Sequence, residues 1–240
     1  MDPVHEAPTA GLRRAGLAAA LFLAPWGLVA ANTSYAWATR NGGDDSTGAH
    51  ALALVGEHPT LARVAAVAAM IGSLLMVPAA IGAMRLIGYR AARLGLVGGV
   101  LVAAGYICYF AVVTGTFTTV AMVQRGGPLA DYAAVLDASQ QTAWTTWVFL
   151  LFVLGNLVGT FLLGLGLLRS HAVPAWAAAA VMAWPPLHVT GLVAGSEWFE
   201  VTGAILQAVG FAVVGARLLK RPAAPVEAAV PAHGAAALAG

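Results

Sequence analysis

The chain has 240 residues, a length that fits one domain, and its composition excludes an ordinary soluble protein. Apolar residues make up 60% of the chain and charged residues 9%, with a mean hydropathy of +0.82. Soluble domains are roughly 45–50% apolar and about 25% charged, so a surface of this composition would not stay in water. The twelve basic residues are dispersed and form no stripe that would bind nucleic acid. The composition therefore indicates a protein whose solvent is lipid.

Long uncharged stretches predict six membrane-spanning helices, because a span needs about 20 mostly apolar residues. In chain order we place the spans at about 15–38, 60–84, 94–123, 142–168, 174–195 and 197–218. The sixth reaches this length only when its helix begins near Ser196, which brings Glu197 and Glu200 into its first turns. The predicted fold is an all-α polytopic transmembrane helix bundle.

The distribution of basic residues predicts the orientation of this bundle. With the N-terminus inside, nine basic residues face the cytoplasm, and three lie outside, namely Arg40, Arg63 and Arg125. Both termini are then cytoplasmic, and we expect a multi-pass protein of the cell (inner or plasma) membrane. In an alternative interpretation, residues 13–38 are a signal peptide that ends in a small-x-small cleavage site.

The segments outside the spans are short. Residues 1–12 are predicted to form an N-terminal cytoplasmic segment, 13–221 the bundle, and 222–240 a flexible tail that is rich in Ala, Pro and Gly. Two outer loops carry capping signals and predict short helices over Ala49–Val55 and Ala130–Leu136. These helices would lie at the membrane interface, as a roof over a cavity or as plain connections.

The pair Pro185-Pro186 predicts a break in the fifth span. Counted from Pro174 at about 1.5 Å per residue, the helix has risen about 16 Å at Trp184, close to the middle of a bilayer. Because proline has no N–H, carbonyls lose their donors at a depth where irregular backbone needs protein or water around it. His188 follows, and it is the only histidine within a predicted span. It is either a functional ionisable group or the partner of a carbonyl that the prolines release.

The sixth span carries polar residues on one face. Glu200, Gly203, Gln207 and Gly210 recur at helical spacing, so this face should turn towards the other helices. Glu197 lies three residues before Glu200, and two close carboxylates in a low dielectric raise the pKa of at least one of them. A carboxylic acid that stays protonated near neutral pH can donate a proton. Alternatively, both acids only complement the N-terminus of the helix.

Further side chains near the outer ends of the spans complete the predicted site. Glu57, before His58-Pro59 at the entrance to the second span, is a further candidate acid or a capping residue. The candidate substrate-binding residues are Asn32, Tyr35, Tyr109, Trp144, Trp147, Asn156, Trp198 and Gln207. The tryptophans also fit the aromatic belt of a membrane interface. We predict no cofactor and no metal, because haem would need a second histidine at depth, retinal a lysine within a span, and zinc a diagnostic spacing.

Three short motifs resemble those of a group of small polytopic membrane proteins of GC-rich bacteria. They are Glu57-His58-Pro59, Val77-Pro78-Ala79, and Leu168-Arg169 followed by Val173-Pro174-Ala175-Trp176. In that group His-Pro opens one helix, and an arginine precedes the Pro-x-Trp that opens another. The resemblance covers residues 10–220 and implies the fold, but the group has no agreed activity and so implies no catalytic residue. A fainter similarity links the chain to membrane-bound terpene cyclases, which have a similar length and essential acids near both chain ends but seven spans.

These observations predict an intramembrane enzyme that uses acid–base catalysis on a lipophilic small molecule, such as an isoprenoid or polyketide, for example in a terpene-cyclase-like cyclisation. Glu200, with Glu57 or Glu197, would act as general acid, and His188 as base or as the residue that orients it. One alternative is a small-molecule or proton-coupled transporter or binding protein. Another is an accessory membrane subunit. The expected partners are the lipid bilayer and the small molecule, with a small-xxx-small pair in the fourth span that would also permit a homo-oligomer.

Overall fold

The computed structural model describes residues 8–221, and within this range every regular element is helical. The first seven residues and the tail predicted over 222–240 lie outside the described residues. The α-helices are α1 (Pro8–Thr39), α2 (Gly48–Glu57), α3 (Pro59–Ile87), α4 (Ala92–Arg125), α5 (Leu129–Gln140), α6 (Ala143–Val153), α7 (Thr160–Arg169), α8 (Ala175–Met182), α9 (Trp184–Ala194) and α10 (Trp198–Lys220).

Five helical segments are long and apolar enough to cross a membrane: Thr9–Thr39, Pro59–Arg125, Ala143–Arg169, Ala175–Ala194 and Trp198–Lys220. The second of these has 67 residues and comprises two helices, α3 and α4, which pack side by side after a 3-10 turn over Gly88–Ala91. Gly88 has a φ of 61° at this turn, in the region where only glycine lacks a steric penalty. The chain doubles back here, and the predicted polytopic all-α bundle is confirmed.

The spans pack in a closed ring that follows the order of the chain. α1 packs against α3, α3 against α4, and α4 against the α6–α7 span; α7 contacts α8, and α8 and α9 pack against α10, which returns to α1. Leu21, Met76 and Phe211 are fully buried at the centre of this ring. Each span therefore contributes one buried face, and its remaining surface is largely apolar, as expected for helices in lipid.

The fourth span contains a feature that the sequence does not predict. Between α6 and α7, residues Leu154–Gly159 form a π-helical segment, a rare conformation that is frequent at functional sites. Gly155 and Gly105 face each other here, and Gly98 packs against the backbone of Leu163, so α4 and the fourth span approach closely. The small-xxx-small pair is thus used within the chain.

The helix bounds agree with the predicted spans except at the start. α1 begins at Pro8, seven residues before the predicted span, because Arg13 and Arg14 limit the apolar stretch without ending the helix. Both short outer helices are present as α2 and α5. The Thr47 side chain caps α2 by accepting a hydrogen bond from the backbone N–H of His50 at 3.2 Å.

Charges separate to the two ends of the bundle. We call one end the basic end, because it carries nine of the twelve basic residues: Arg13, Arg14, Arg85, Arg90, Arg93, Arg169, Arg217, Lys220 and Arg221. The opposite end, which we call the acidic end, carries every acidic residue of the described range: Asp44, Asp45, Glu57, Asp131, Asp137, Glu197 and Glu200. The helices α2 and α5 also lie at the acidic end.

Candidate functional site

The fifth span is interrupted at Ala183, between α8 and α9. Pro185 and Pro186 lie in the first turn of α9, where their missing N–H groups break no bond within that helix. The carbonyls of Val181 and Met182, four residues earlier, lose the donors that a continuous helix would supply. The predicted break is confirmed as a local one, because Ala183 keeps helical backbone angles with a φ of -70° and a ψ of -23°.

This break positions His188 against the first turn of α10. His188 Nδ1 lies 2.8 Å from Glu200 Oε1, with the two side chains 22% and 13% exposed. The buried ring nitrogen has no hydrogen-bond partner with suitable angles, so its contact with Glu200 is a close polar contact and not an aligned hydrogen bond. The structure therefore brings together the two residues on which the predicted site depends.

Glu197 adds a second carboxyl group beside this pair, just before α10 begins. Burial raises the pKa of Glu197 from 4.5 to about 7, and the charges of Glu200 and Asp45 act in the same direction while His188 opposes them. A group with a pKa near 7 exchanges its proton readily at physiological pH. Glu197 can thus supply or remove protons at the edge of the bundle.

Asp45 is the residue of this site that the sequence does not predict. It lies in the loop between α1 and α2, where acids are usually only solvated. The Tyr35 hydroxyl donates a hydrogen bond to Asp45 Oδ1 at 2.8 Å, and the charge of Asp45 reaches Glu197. We refer to Tyr35, Asp45, His188, Glu197 and Glu200 as the carboxylate cluster.

A buried polar node lies deeper in the bundle. The Oδ1 atom of Asn156, in the π-helical segment, accepts hydrogen bonds from the Tyr106 hydroxyl and from Trp184 Nε1, both at 2.9 Å. The Trp184 and His188 rings lie 5.4 Å apart between centroids. Thr160, fully buried one turn after Asn156, has a hydroxyl with no partner among the described residues. The node therefore connects the carboxylate cluster to the interior through Trp184.

Gln207 lies level with the break in the fifth span. Its neighbours on the same face of α10 pack against that span, Gly203 against Trp184 and Gly210 against Val181. The Gln207 side chain is 1% exposed, which confirms the predicted inward face. Its Nε2 group has no partner within residues 8–221. Buried donors are normally satisfied, so this amide is suited to a water or ligand that lies beside the interrupted helix.

Glu57 lies apart from the carboxylate cluster. It is the last residue of α2, its side chain is exposed, and it makes no hydrogen bond or ion pair within the described range. α2 packs against α3, α4 and α5, whereas the cluster is built from α9, α10 and the outer end of α1. No hydrogen bond or ion pair joins Glu57 to the cluster within the described range, whereas Asp45 contacts Tyr35.

The remaining predicted binding residues fall into two sets. Tyr109 is half-buried, stacks on Phe152 with ring centroids 4.3 Å apart and meets Tyr106 edge-on; Asn32 is half-buried on α1, one turn before Tyr35. Trp144, Trp147 and Trp198 instead have exposed rings, at 83%, 63% and 45%. These three positions fit the aromatic belt better than the wall of a site.

Replacing Asn156 by leucine should destabilise the bundle by about 1–3 kcal/mol, because two buried donors lose their acceptor. In a Tyr106→Phe background the same change should cost less, since one of those donors is already absent. The free energy of unfolding can be measured by titration with sodium dodecyl sulfate. Asn32→Leu, which removes a half-buried amide without a hydrogen bond in the described range, is the matched control. Equal losses of unfolding free energy for Asn156→Leu and Asn32→Leu would contradict a stabilising role for the hydrogen bonds at Asn156.

The raised pKa of Glu197 predicts how stability depends on pH. The folded protein binds this proton more tightly than the unfolded chain, so the stabilisation is complete below pH 4.5 and is lost as the pH rises through about 7. Glu197→Gln should make the unfolding free energy less dependent on pH in this window. Asp44 does not interfere, because hydrogen bonds from Ser46 lower its pKa to about 2. If the Glu197→Gln variant keeps the wild-type dependence of the unfolding free energy on pH, another group titrates in this pH window.

The carboxylate cluster combines Glu197, whose pKa is about 7, with an imidazole in close contact with a second carboxyl group. One side of the cluster meets the aqueous edge of the bundle, and the other leads through Trp184 to Asn156. This arrangement is suited to proton transfer at the entrance of an apolar interior. Comparisons with protein-family models, with curated proteins and with solved structures found no match to the chain.

Proposed function

We propose that the protein is an intramembrane enzyme that isomerises or cyclises a lipophilic small molecule by acid–base catalysis. The observation that supports this most directly is the contact of 2.8 Å between His188 Nδ1 and Glu200 Oε1 beside an interrupted span. Ionisable side chains at membrane depth are costly and are retained mainly where they work. The apolar helices around the pair suit a substrate that enters from lipid.

The pair supports a balanced proton cycle. Glu200 donates its proton to a double bond or carbonyl of the substrate, and His188 accepts the proton that the resulting cation loses. The protonated imidazole then returns a proton to the Glu200 carboxylate across the same contact, so no proton is gained or lost overall. The aromatic ring of Trp184 beside His188 would stabilise positive charge that develops on the substrate.

The orientation in the membrane follows as part of this proposal. The basic end faces the cytoplasm, because cytoplasmic segments of membrane proteins carry an excess of Lys and Arg. The carboxylate cluster then lies in the extracytoplasmic half of the cell membrane, and both chain ends lie in the cytoplasm. Cysteine accessibility at an exposed site such as Asp131 should report the outer side.

The substrate can be found by mass spectrometry of small molecules that the protein retains when it is purified from its native membrane. Each retained molecule is then incubated with fresh protein and with an Asp131→Asn control, which removes an exposed carboxylate outside the cluster. Conversion of a retained molecule by the wild-type protein and by the Asp131→Asn control supports the proposed enzymatic activity. Recovery of every retained molecule unchanged would overturn it.

One observation favours proton-coupled transport as a second candidate. The interrupted span and the unpartnered amide of Gln207 resemble the discontinuous helices at which transporters bind their substrates near the middle of the membrane. In proteoliposomes a transporter would move the retained molecule unchanged, at a rate that depends on the pH gradient. An enzyme would convert the molecule without any gradient.

A further inference from the structure

A separate cavity opens at the basic end of the bundle, on the side away from the carboxylate cluster. It has a volume of about 370 Å³ and lies between the α3–α4 turn, the α7–α8 connection and the end of α10. The polar side chains that line it include Tyr89, Arg90, His171, Arg217, Lys220 and Arg221. Its entrance is at the level where the spans end, which is the headgroup region of a bilayer.

The positive charge of this cavity is not balanced by described residues. All seven acidic residues of the described range lie at the acidic end. Arg90, Arg217 and Lys220 line the cavity and make no hydrogen bond or ion pair with any residue between positions 8 and 221. Cations held together without anions repel one another, and a bound anion would relieve that repulsion.

A purely structural role accounts for one of the arginines. Arg221 Nη1 donates to the carbonyls of Arg85 at 2.6 Å and Leu86 at 3.3 Å, and so completes the end of α3. Arg217 and Lys220 lie in the last turn of α10, where their charges complement the negative end of the helix dipole. This interaction leaves the N–H groups of both side chains without a hydrogen-bond acceptor among the described residues. Arg90, Arg217 and Lys220 therefore keep N–H groups that no residue between positions 8 and 221 occupies.

We infer that this cavity binds a phosphate group, and that its source is the headgroup of an anionic phospholipid. Phosphate oxygens accept strong hydrogen bonds from guanidinium and ammonium groups. Basic pockets between membrane helices are suited to anionic headgroups, and this one is open at the corresponding depth. The site is independent of the proposed catalytic reaction, since it lies at the other end of the bundle.

The test compares lipid binding by the full chain and by two double variants of equal charge. Native mass spectrometry counts bound phosphatidylglycerol or phosphatidylcholine as each lipid is titrated into detergent-solubilised protein. Arg217→Gln with Lys220→Gln should weaken phosphatidylglycerol binding by at least about tenfold, because each basic group near an anionic headgroup contributes roughly a fivefold effect. Arg13→Gln with Arg93→Gln removes the same charge from the same end, outside the cavity, and should change binding by less than about twofold.

A second arm separates the two sources of phosphate. Inorganic phosphate is titrated into the same proteins, and we expect it to displace phosphatidylglycerol only weakly. Phosphate binding as tight as that of the lipid, and lost in the Arg217 and Lys220 variant, would overturn the lipid source in favour of soluble phosphate. Equal binding of the two lipids, or equal losses in both double variants, would overturn the site itself.

Discussion

Replacing Glu200 by glutamine should lower turnover of the retained substrate by at least about a hundredfold, which is the lower range for loss of a general acid. Glutamine has the shape of glutamate but carries no transferable proton, and its amide cannot take back a proton from His188 across their contact. The fold should persist, because glutamine keeps the size of the Glu200 side chain, which is 13% exposed in the first turn of α10. Initial rates at saturating substrate measure the effect.

The matched control for this change is Asp131→Asn, which removes an exposed carboxylate from α5 at the same end of the protein. Its turnover should stay within about twofold of the wild type, since exposed charges contribute little at a distance. The temperature of unfolding shows whether each variant is folded. A folded Glu200→Gln protein with normal turnover would remove Glu200 from the mechanism.

Replacing Gly105 by alanine should destabilise the bundle strongly for so small a change. The added Cβ atom would lie 2.7 Å from Gly155 Cα and 3.2 Å from the Phe152 carbonyl oxygen. These are backbone atoms that cannot rotate away, so α4 and the fourth span would have to separate. Overpacking of this kind costs about 1–3 kcal/mol and sometimes more.

Gly115→Ala on the same helix is the control for Gly105→Ala. No atom lies within 4 Å of the position that its Cβ would occupy. Alanine there should be neutral or stabilising by about 0.5–1 kcal/mol, because glycine in a helix costs conformational entropy. Opposite signs for the two substitutions, measured as unfolding free energies in detergent, would confirm that helix contact and not helix propensity determines the effect. Similar changes in unfolding free energy for the two substitutions would contradict the close approach of α4 to the fourth span.

Most of the fold could be predicted because a bilayer imposes simple requirements. The length of an uncharged stretch of sequence predicts a membrane span, and the pattern of capping residues predicts α2 and α5. The break in the fifth span followed from the chemistry of Pro185-Pro186 alone. The π-helical segment Leu154–Gly159 could not be predicted in this way, since it depends on how Gly155 packs against α4.

The candidate site was predicted only where its residues share a helix or follow a break. Glu200 and Gln207 lie on one helical face, and His188 lies next to the proline pair, so local rules were sufficient. Asp45 was missed because its contact with Tyr35 depends on the path of a loop, and a loop acid gives no periodic signal. The trio of Asn156, Tyr106 and Trp184 joins three spans, and no local pattern specifies such pairing.

The interruption at Ala183 also determines what holds α9 in place. Since hydrogen bonds from Pro185 and Pro186 to α8 are missing, two polar contacts help to hold α9 against its neighbours: Trp184 with Asn156 at its inner end, and His188 with Glu200 near its middle. The first contact joins neutral groups inside the bundle, whereas the second joins two ionisable side chains beside the first turn of α10. A substitution at Asn156 or Glu200 would therefore act on the placement of α9 as well as on the site itself.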